Sequence, residues 1–235
     1  RSASSLYKGE ERGDKEVVTN RTISRVIQAL RKASTGWDAP VVTEMVGFSR
    51  DPYLVLIACL LSLRTKDETT GPAARRLFAL ADTPERMVSL TPTQVKKAIY
   101  PVGFYKTKAR TVLDISQILI DKYESRVPDE IDELLFFKGV GRKTANLVVT
   151  LGFQKPGICV DTHVHRISNR WGYVETKNPE ETEMALRAIL PKRFWIGYND
   201  LLVAFGQTLC HPTSPKCSLC PIERYCEKID VKRSR

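Results

Sequence analysis

The chain has 235 residues, enough for one large domain or two small ones with an ample core. Its 37 Lys and Arg against 27 Asp and Glu give a formal charge of +10, which favours a polyanionic partner, most simply nucleic acid, over a merely basic protein. No apolar run reaches membrane-spanning length and nothing at the start reads as a secretory signal, so a spanning helix and a secreted, disulfide-built scaffold are both disfavoured.

Residues 1–19 are polar and unperiodic, which predicts a mobile tail. From Asn20 onward, Ile23, Val26, Ile27 and Leu30 fall on one helical face, and residues 36–40 end that helix. Residues 53–63 are almost continuously apolar, and the length favours a buried helix over a strand. Thr83-Pro84 and Asn178-Pro179 each set a capping residue before a proline at the first helical position. Thr91-Pro92-Thr93-Gln94 has the capping-box pattern. Tyr105, Ala109, Val112, Ile115 and Leu119 form another amphipathic stripe, and residues 179–190 a further helix stopped by Pro191. With no alternating strand and no fixed repeat, the chain reads as all-α, built of many short helices.

Three stretches carry chemistry. In residues 134–146, LLFFKGVGRKTAN, an apolar element ends, a tight Gly139-Val140-Gly141 turn follows, and a second helix begins. The glycines let the backbone turn sharply and let another backbone or a phosphate come close. Ala145, Val148, Val149 and Gly152 then recur at helical spacing and face a core. Arg142 and Lys143 fall in the first turn, where positive charge opposes the helix dipole, so local stability does not explain them. Free amides beside cations suit an anion such as DNA phosphate, while a plain packing element with surface lysines remains the other reading. In residues 160–166, VDTHVHR, Asp161 is placed to cap the next helix, itself a sufficient reason for it. His163 and His165 have no third ligand at metal spacing and read as structural or phosphate-facing groups.

Cys210, Cys217, Cys220 and Cys226 form C-x6-C-x2-C-x5-C in one short polar segment. Four thiolates there suit zinc or an iron–sulfur cluster. Zinc more often uses two separated C-x-x-C knuckles, so a single loop supplying all four favours a cluster. Cys59 and Cys159 lie in apolar surroundings and read as inert core residues.

In their order and separation, GVGRKTAN at 139–146, VDTH at 160–163 and the four-cysteine loop make the chain resemble the endonuclease III family of DNA glycosylases and abasic-site lyases, in the helix-hairpin-helix superfamily, from about Phe48 to Cys226. The resemblance implies two helical lobes. One is a six-helix barrel with the helix-hairpin-helix, residues 45–155. The other is formed by both chain ends, residues 20–44 and 156–235, and holds a [4Fe–4S] cluster on Cys210, Cys217, Cys220 and Cys226, with DNA across the cleft between the lobes. It further implies a bifunctional enzyme of base excision repair that removes oxidised pyrimidines, such as thymine glycol, and cuts the 3′ side of the abasic site by β-elimination.

Cutting an N-glycosidic bond inside a duplex requires the nucleotide to be extruded. The resemblance makes Lys143 the amine nucleophile, and a helix N-terminus beside Arg142 opposes positive charge on it. Asp161 would stabilise positive charge developing on the sugar and assist proton transfer. Arg64 stands where the family commonly has a glutamine that enters the gap left by a flipped nucleotide, and Phe104 where it has an apolar wedge, often leucine. A core role is the alternative for Phe104. Phe137-Lys138 replaces the usual Leu-Pro, losing a stiffening proline and gaining a cation. Lys138, Gly139, Gly141 and Arg142 at the hairpin, with Lys106, Lys108 and Arg110 after the wedge, are the expected phosphate-tracking face. The expected partner is double-stranded DNA with a damaged or abasic nucleotide, met by a monomer inside the cell and away from any membrane. A mismatch-directed glycosylase of the same superfamily and a non-catalytic DNA-binding module are the competing functions; Lys143 argues against the adenine branch of the former.

Overall fold

The computed structural model describes residues 16–37 and 50–235. Among these, all regular structure is helical, as the periodicity predicts. The chain divides into two compact units, Pro40–Gly157 and a second one that joins the N-terminal segment to Ile158–Arg235. Most of the expected tail lies outside the described residues. Within them, order begins before Thr19: Val18 is buried, and the Thr22 hydroxyl donates to the Val17 carbonyl at 2.6 Å.

The two-ended unit opens with α1 (Ile23–Ala33), which buries Ile23, Val26, Ile27 and Leu30 and ends before Gly36 at φ +98°. The central unit follows with α2 (Pro52–Ser62), α3 (Asp67–Leu80), α4 (Pro84–Val88), α5 (Pro92–Ile99), α6 (Tyr105–Tyr123), α7 (Ile131–Leu134) and α8 (Arg142–Leu147), the last continuing into one π-helical turn, Val148–Gly152. The apolar run at 53–63 is α2. Asp51 caps it by accepting from the amides of Tyr53 and Leu54, and α3, α6, α8 and the π turn pack against it. Leu56, Ile57 and Leu61 are fully buried there, each worth about 1.5–3 kcal/mol. The caps read from sequence form: Thr83 and Asn178 accept from the third helical amide, and Thr91 with Gln94 closes the reciprocal box.

The two-ended unit resumes with α9 (Thr162–Arg170), α10 (Pro179–Ile189) and α11 (Trp195–Thr208), followed by 3-10 turns at Cys217–Leu219 and Glu223–Tyr225. Its core gathers the apolar face of α1 with Trp171, Tyr198, Leu202 and Phe205, and takes in Ile222 and Tyr225 of the cysteine loop. That loop therefore shares the apolar core of its unit. Among the described residues, no helix is long and apolar enough to cross a membrane.

Candidate functional site

In the hairpin between α7 and α8, Gly139 sits at φ +85°, a left-handed conformation that a side chain would strain. Gly141 has an ordinary φ of −100°, and among the described residues a Cβ added to it would meet no atom within 4 Å beyond its chain neighbours. Nothing among the described residues therefore requires Gly141 to be glycine. The space in front of it is open, which is what close approach of an external backbone needs. Asn146, fully buried, returns its side-chain amide to the Arg142 carbonyl at 3.0 Å, and Thr150 in turn donates to the Asn146 carbonyl at 2.7 Å. These bonds hold the start of α8 rigid beneath the turn. Lys143 is exposed on the first turn of α8, as is Lys138 in the loop, and Phe136 is 83% exposed. Burial pushes the Cys59 thiol up to about 12, with the charge of Lys143 acting the other way, so Cys59 stays an inert core residue.

Arg64 and Phe104 come from separate turns and meet. The Arg64 guanidinium lies 5.8 Å from the centre of the Phe104 ring. Phe104 is 64% exposed, which removes the alternative that it is a core aromatic. Both residues hold positive φ, +51° and +57°, although neither is glycine. Such conformations cost about 1–3 kcal/mol each and persist where the surroundings enforce them.

Lys108 corrects the expectation that it faces DNA. It is 9% exposed, and its ammonium donates to the carbonyls of Leu61 at 2.8 Å and Leu63 at 2.6 Å and to the Thr65 hydroxyl at 3.1 Å. These acceptors lie at the C-terminal end of α2, where carbonyls lack helical partners and a cation is favoured. Burial pulls Lys108 down to about 8. A signal was present in the sequence: Lys108 lies four residues before Val112, in line with the buried stripe of α6. Lys106 and Arg110 are on the exposed side of that helix. They share a groove with Thr107, Thr111, Asp114, Lys138 and Lys96. Lys96, in the last turn of α5, was not anticipated, although the Lys96-Lys97 pair at a helix end pointed to it.

In the two-ended unit, Asp161 caps α9 through a single oxygen, Oδ1, which accepts from the amides of His163 and Val164, both at 2.9 Å. Oδ2 stays outside the cap. His165 and His163 are structural: His165 Nδ1 pairs with Thr182 Oγ1 at 2.7 Å and His163 Nδ1 with Arg166 at 3.1 Å.

Cys210, Cys217, Cys220 and Cys226 line one cavity with Arg170, Trp171 and Phe205. Among the described residues, no three His, Cys, Asp or Glu side chains are gathered closely enough for a single metal ion. The surroundings nonetheless fit an anionic sulfur centre. Arg170, 5% exposed, donates to Cys210 Sγ at 3.2 Å, and its Nε is buried without a hydrogen-bond partner. The Lys228 amide donates to Cys226 Sγ at 3.4 Å. Burial pushes the thiols of Cys220 and Cys226 up to about 12 and about 11, so a metal held there would have to displace their protons.

Comparison with known proteins agrees with this geometry. Residues 57–192 match the family described as HhH-GPD superfamily base excision DNA repair protein. The endonuclease III of Thermotoga maritima is 48% identical over 177 residues, 75% of this chain and 83% of that protein. The chloroplastic endonuclease III homolog 2 of Arabidopsis thaliana is 41% identical over 86% of this chain, which spans 56% of that longer protein. Two solved structures, a non-covalent endonuclease III–DNA complex and a trapped endonuclease III–DNA covalent intermediate, superpose with a TM-score of 0.79 at 33% identity, covering 90% of this chain and 97% of theirs. From the hairpin, the four-thiol loop and this extent of similarity, the chain belongs to the endonuclease III family within the HhH-GPD superfamily of base excision DNA repair proteins.

Proposed function

We propose that this DNA glycosylase and abasic-site lyase excises oxidised pyrimidines from duplex DNA through Lys143 and then breaks the strand by β-elimination. The observation that carries the reading is the hairpin: a turn with open space at Gly141, leading into a helix whose first turn exposes Lys143. A DNA backbone can approach Gly141 closely, its phosphates positioned by Lys138, Arg142 and the groove cations Lys96, Lys106 and Arg110. Arg64 and Phe104 enter the stack and hold open the gap left by the extruded nucleotide.

The chemistry then runs on the chain's own groups. The neutral Lys143 amine forms a bond to the sugar C1′ as the C1′–N bond to the base breaks, and the base leaves with a proton. Opening of the sugar ring gives a Schiff base, which acidifies the C2′ proton. Its removal expels the 3′ phosphate, and water then frees Lys143. Asp161 lowers the barrier by holding negative charge near the developing cation on the sugar, and its cap fixes that carboxylate in place. Cys210, Cys217, Cys220 and Cys226 would hold the [4Fe–4S] cluster that members of the family generally carry. When bound, that group supplies a cross-link for the loop, with Arg170 and the Lys228 amide offsetting the charge on sulfur.

Borohydride tests the assignment. It should trap the wild-type protein covalently on duplex DNA containing thymine glycol or an abasic site, and Lys143→Gln should abolish trapping while retaining binding. Trapping that persists in the variant assigns the amine elsewhere, with Lys138 next to be replaced. A wild-type protein that binds but neither excises nor traps is a docking module.

A further inference from the structure

The two exposed residues Arg64 and Phe104 lie on turns that are far apart in sequence, yet the turns are tied to each other. The Gly103 amide donates to the Thr65 hydroxyl at 3.1 Å. A Cβ on Gly103 would come within 2.7 Å of the Arg64 carbonyl oxygen, so the two backbones are in direct contact. The Thr65 hydroxyl also accepts from Lys108, which simultaneously holds the Leu61 and Leu63 carbonyls. Phe104 opens α6, and Lys108 is on the next turn of the same helix, its amide bonded to the Phe104 carbonyl at 3.0 Å. One buried ammonium therefore binds the end of α2, the Arg64 turn and, through Thr65, the Gly103 turn. Its acceptors Leu63 and Thr65 flank Arg64, and Thr65 holds the residue before Phe104, so the ammonium braces the segments on which both positive-φ residues sit.

We infer that Lys108 is a positioning residue that locks the Arg64 and Phe104 turns into one rigid two-residue wedge. It touches neither substrate nor reacting atoms. Its three donors are all spent inside the protein, so it neutralises no phosphate. Its role is to keep the stacked guanidinium and ring standing out of the surface before DNA arrives. A wedge already in place unstacks the duplex without the cost of ordering two side chains and two turns on binding. The inference rests on the proposed insertion of Arg64 and Phe104 into the stack, and its test separates the two.

The variants are Lys108→Met, which keeps the stem and removes the donors, and Thr65→Val, which removes only the hydroxyl and is the milder change should Lys108→Met fold poorly. Both should speed hydrogen exchange at the Gly103 amide. Both should slow single-turnover excision of thymine glycol from a fully paired duplex by about tenfold, and much less from a single strand, where there is no stack to open. The slope of log affinity against log salt should stay unchanged. In an Arg64→Ala, Phe104→Ala background, neither variant should slow excision further, because the part that Lys108 positions is gone. Unchanged exchange at Gly103 in Thr65→Val overturns the tie. Normal excision from paired DNA, equal slowing on paired and single-stranded substrate, full additivity with the wedge variants, or a salt slope reduced by about one overturns the positioning role. If Arg64→Ala and Phe104→Ala themselves excise normally, the insertion reading falls, and exchange at Gly103 alone then decides whether Lys108 joins the turns.

Discussion

A lysine with three acceptors and almost no exposure ought to betray itself in the pH dependence of folding. Lys108 is pulled from 10.5 to about 8 by burial, so between these values the unfolded chain holds a proton that the folded chain has released. Stability contributed at this site is therefore lowest below about pH 8 and rises with pH toward 10.5. Urea unfolding of wild type and Lys108→Met should show their difference moving in favour of wild type by about 1 kcal/mol from pH 7 to pH 9. A difference that stays flat means the folded ammonium is not destabilised by burial. Phe104 gives the opposite pattern. Its ring is mostly exposed, so Phe104→Ala should change stability by no more than about 0.5 kcal/mol, where a core phenylalanine would cost about 3–5 kcal/mol. Excision from paired DNA should slow all the same. A large fall in Tm with normal excision would contradict the exposed placement of the ring.

Among the elements, the hairpin separates two uses of glycine. Gly139→Ala forces a side chain into positive φ and should destabilise the fold by about 1–2 kcal/mol. Gly141→Ala adds a methyl group into open space at an ordinary φ, so its thermal melt should match wild type while DNA affinity falls. Equal affinity in Gly141→Ala would mean that no backbone approaches there. The sequence pattern alone did not distinguish the two glycines, because φ and open space are properties of the folded turn. The caps at Thr83, Thr91, Asp161 and Asn178 were legible, since each is settled within four residues of its own helix. The amphipathic helices α1, α6 and α10 were legible by their apolar spacing, whereas α3, with Pro72 inside it, and α11, apolar on most of its faces, were not read as elements. Lys108 was misread as a surface cation because its acceptors lie more than forty residues away, on another helix end. The thiols were legible by spacing, whereas Arg170, which serves them, reads in sequence as one more basic residue near a helix end.

For the molecule as a whole, charge and core make separate predictions. Binding should be nearly sequence-independent and steeply salt-dependent, as expected for a chain of formal charge +10. Lys96→Ala or Arg110→Ala should each lower the salt slope by about one, and no change in either variant would remove the groove from the DNA path. Removing iron from the protein, if the four thiols hold it, should open residues 211–221 to proteolysis. Helical circular dichroism should largely survive, because α1, α9, α10 and α11 meet in a core centred on Trp171, Tyr198 and Phe205. Complete loss of helicity would mean that the loop carries its whole unit.

The unit made from both chain ends also constrains how the protein is born. The apolar face of α1 leaves the ribosome before α11, which packs against it and is synthesised only after the whole central unit. At about 5–20 residues per second, α1 waits on the order of ten seconds with Ile23, Val26, Ile27 and Leu30 uncovered. The central unit can meanwhile complete itself on the nascent chain. A message truncated before α11 would thus release a finished central unit joined to an unmatched apolar helix, a ready target for chaperones and proteases.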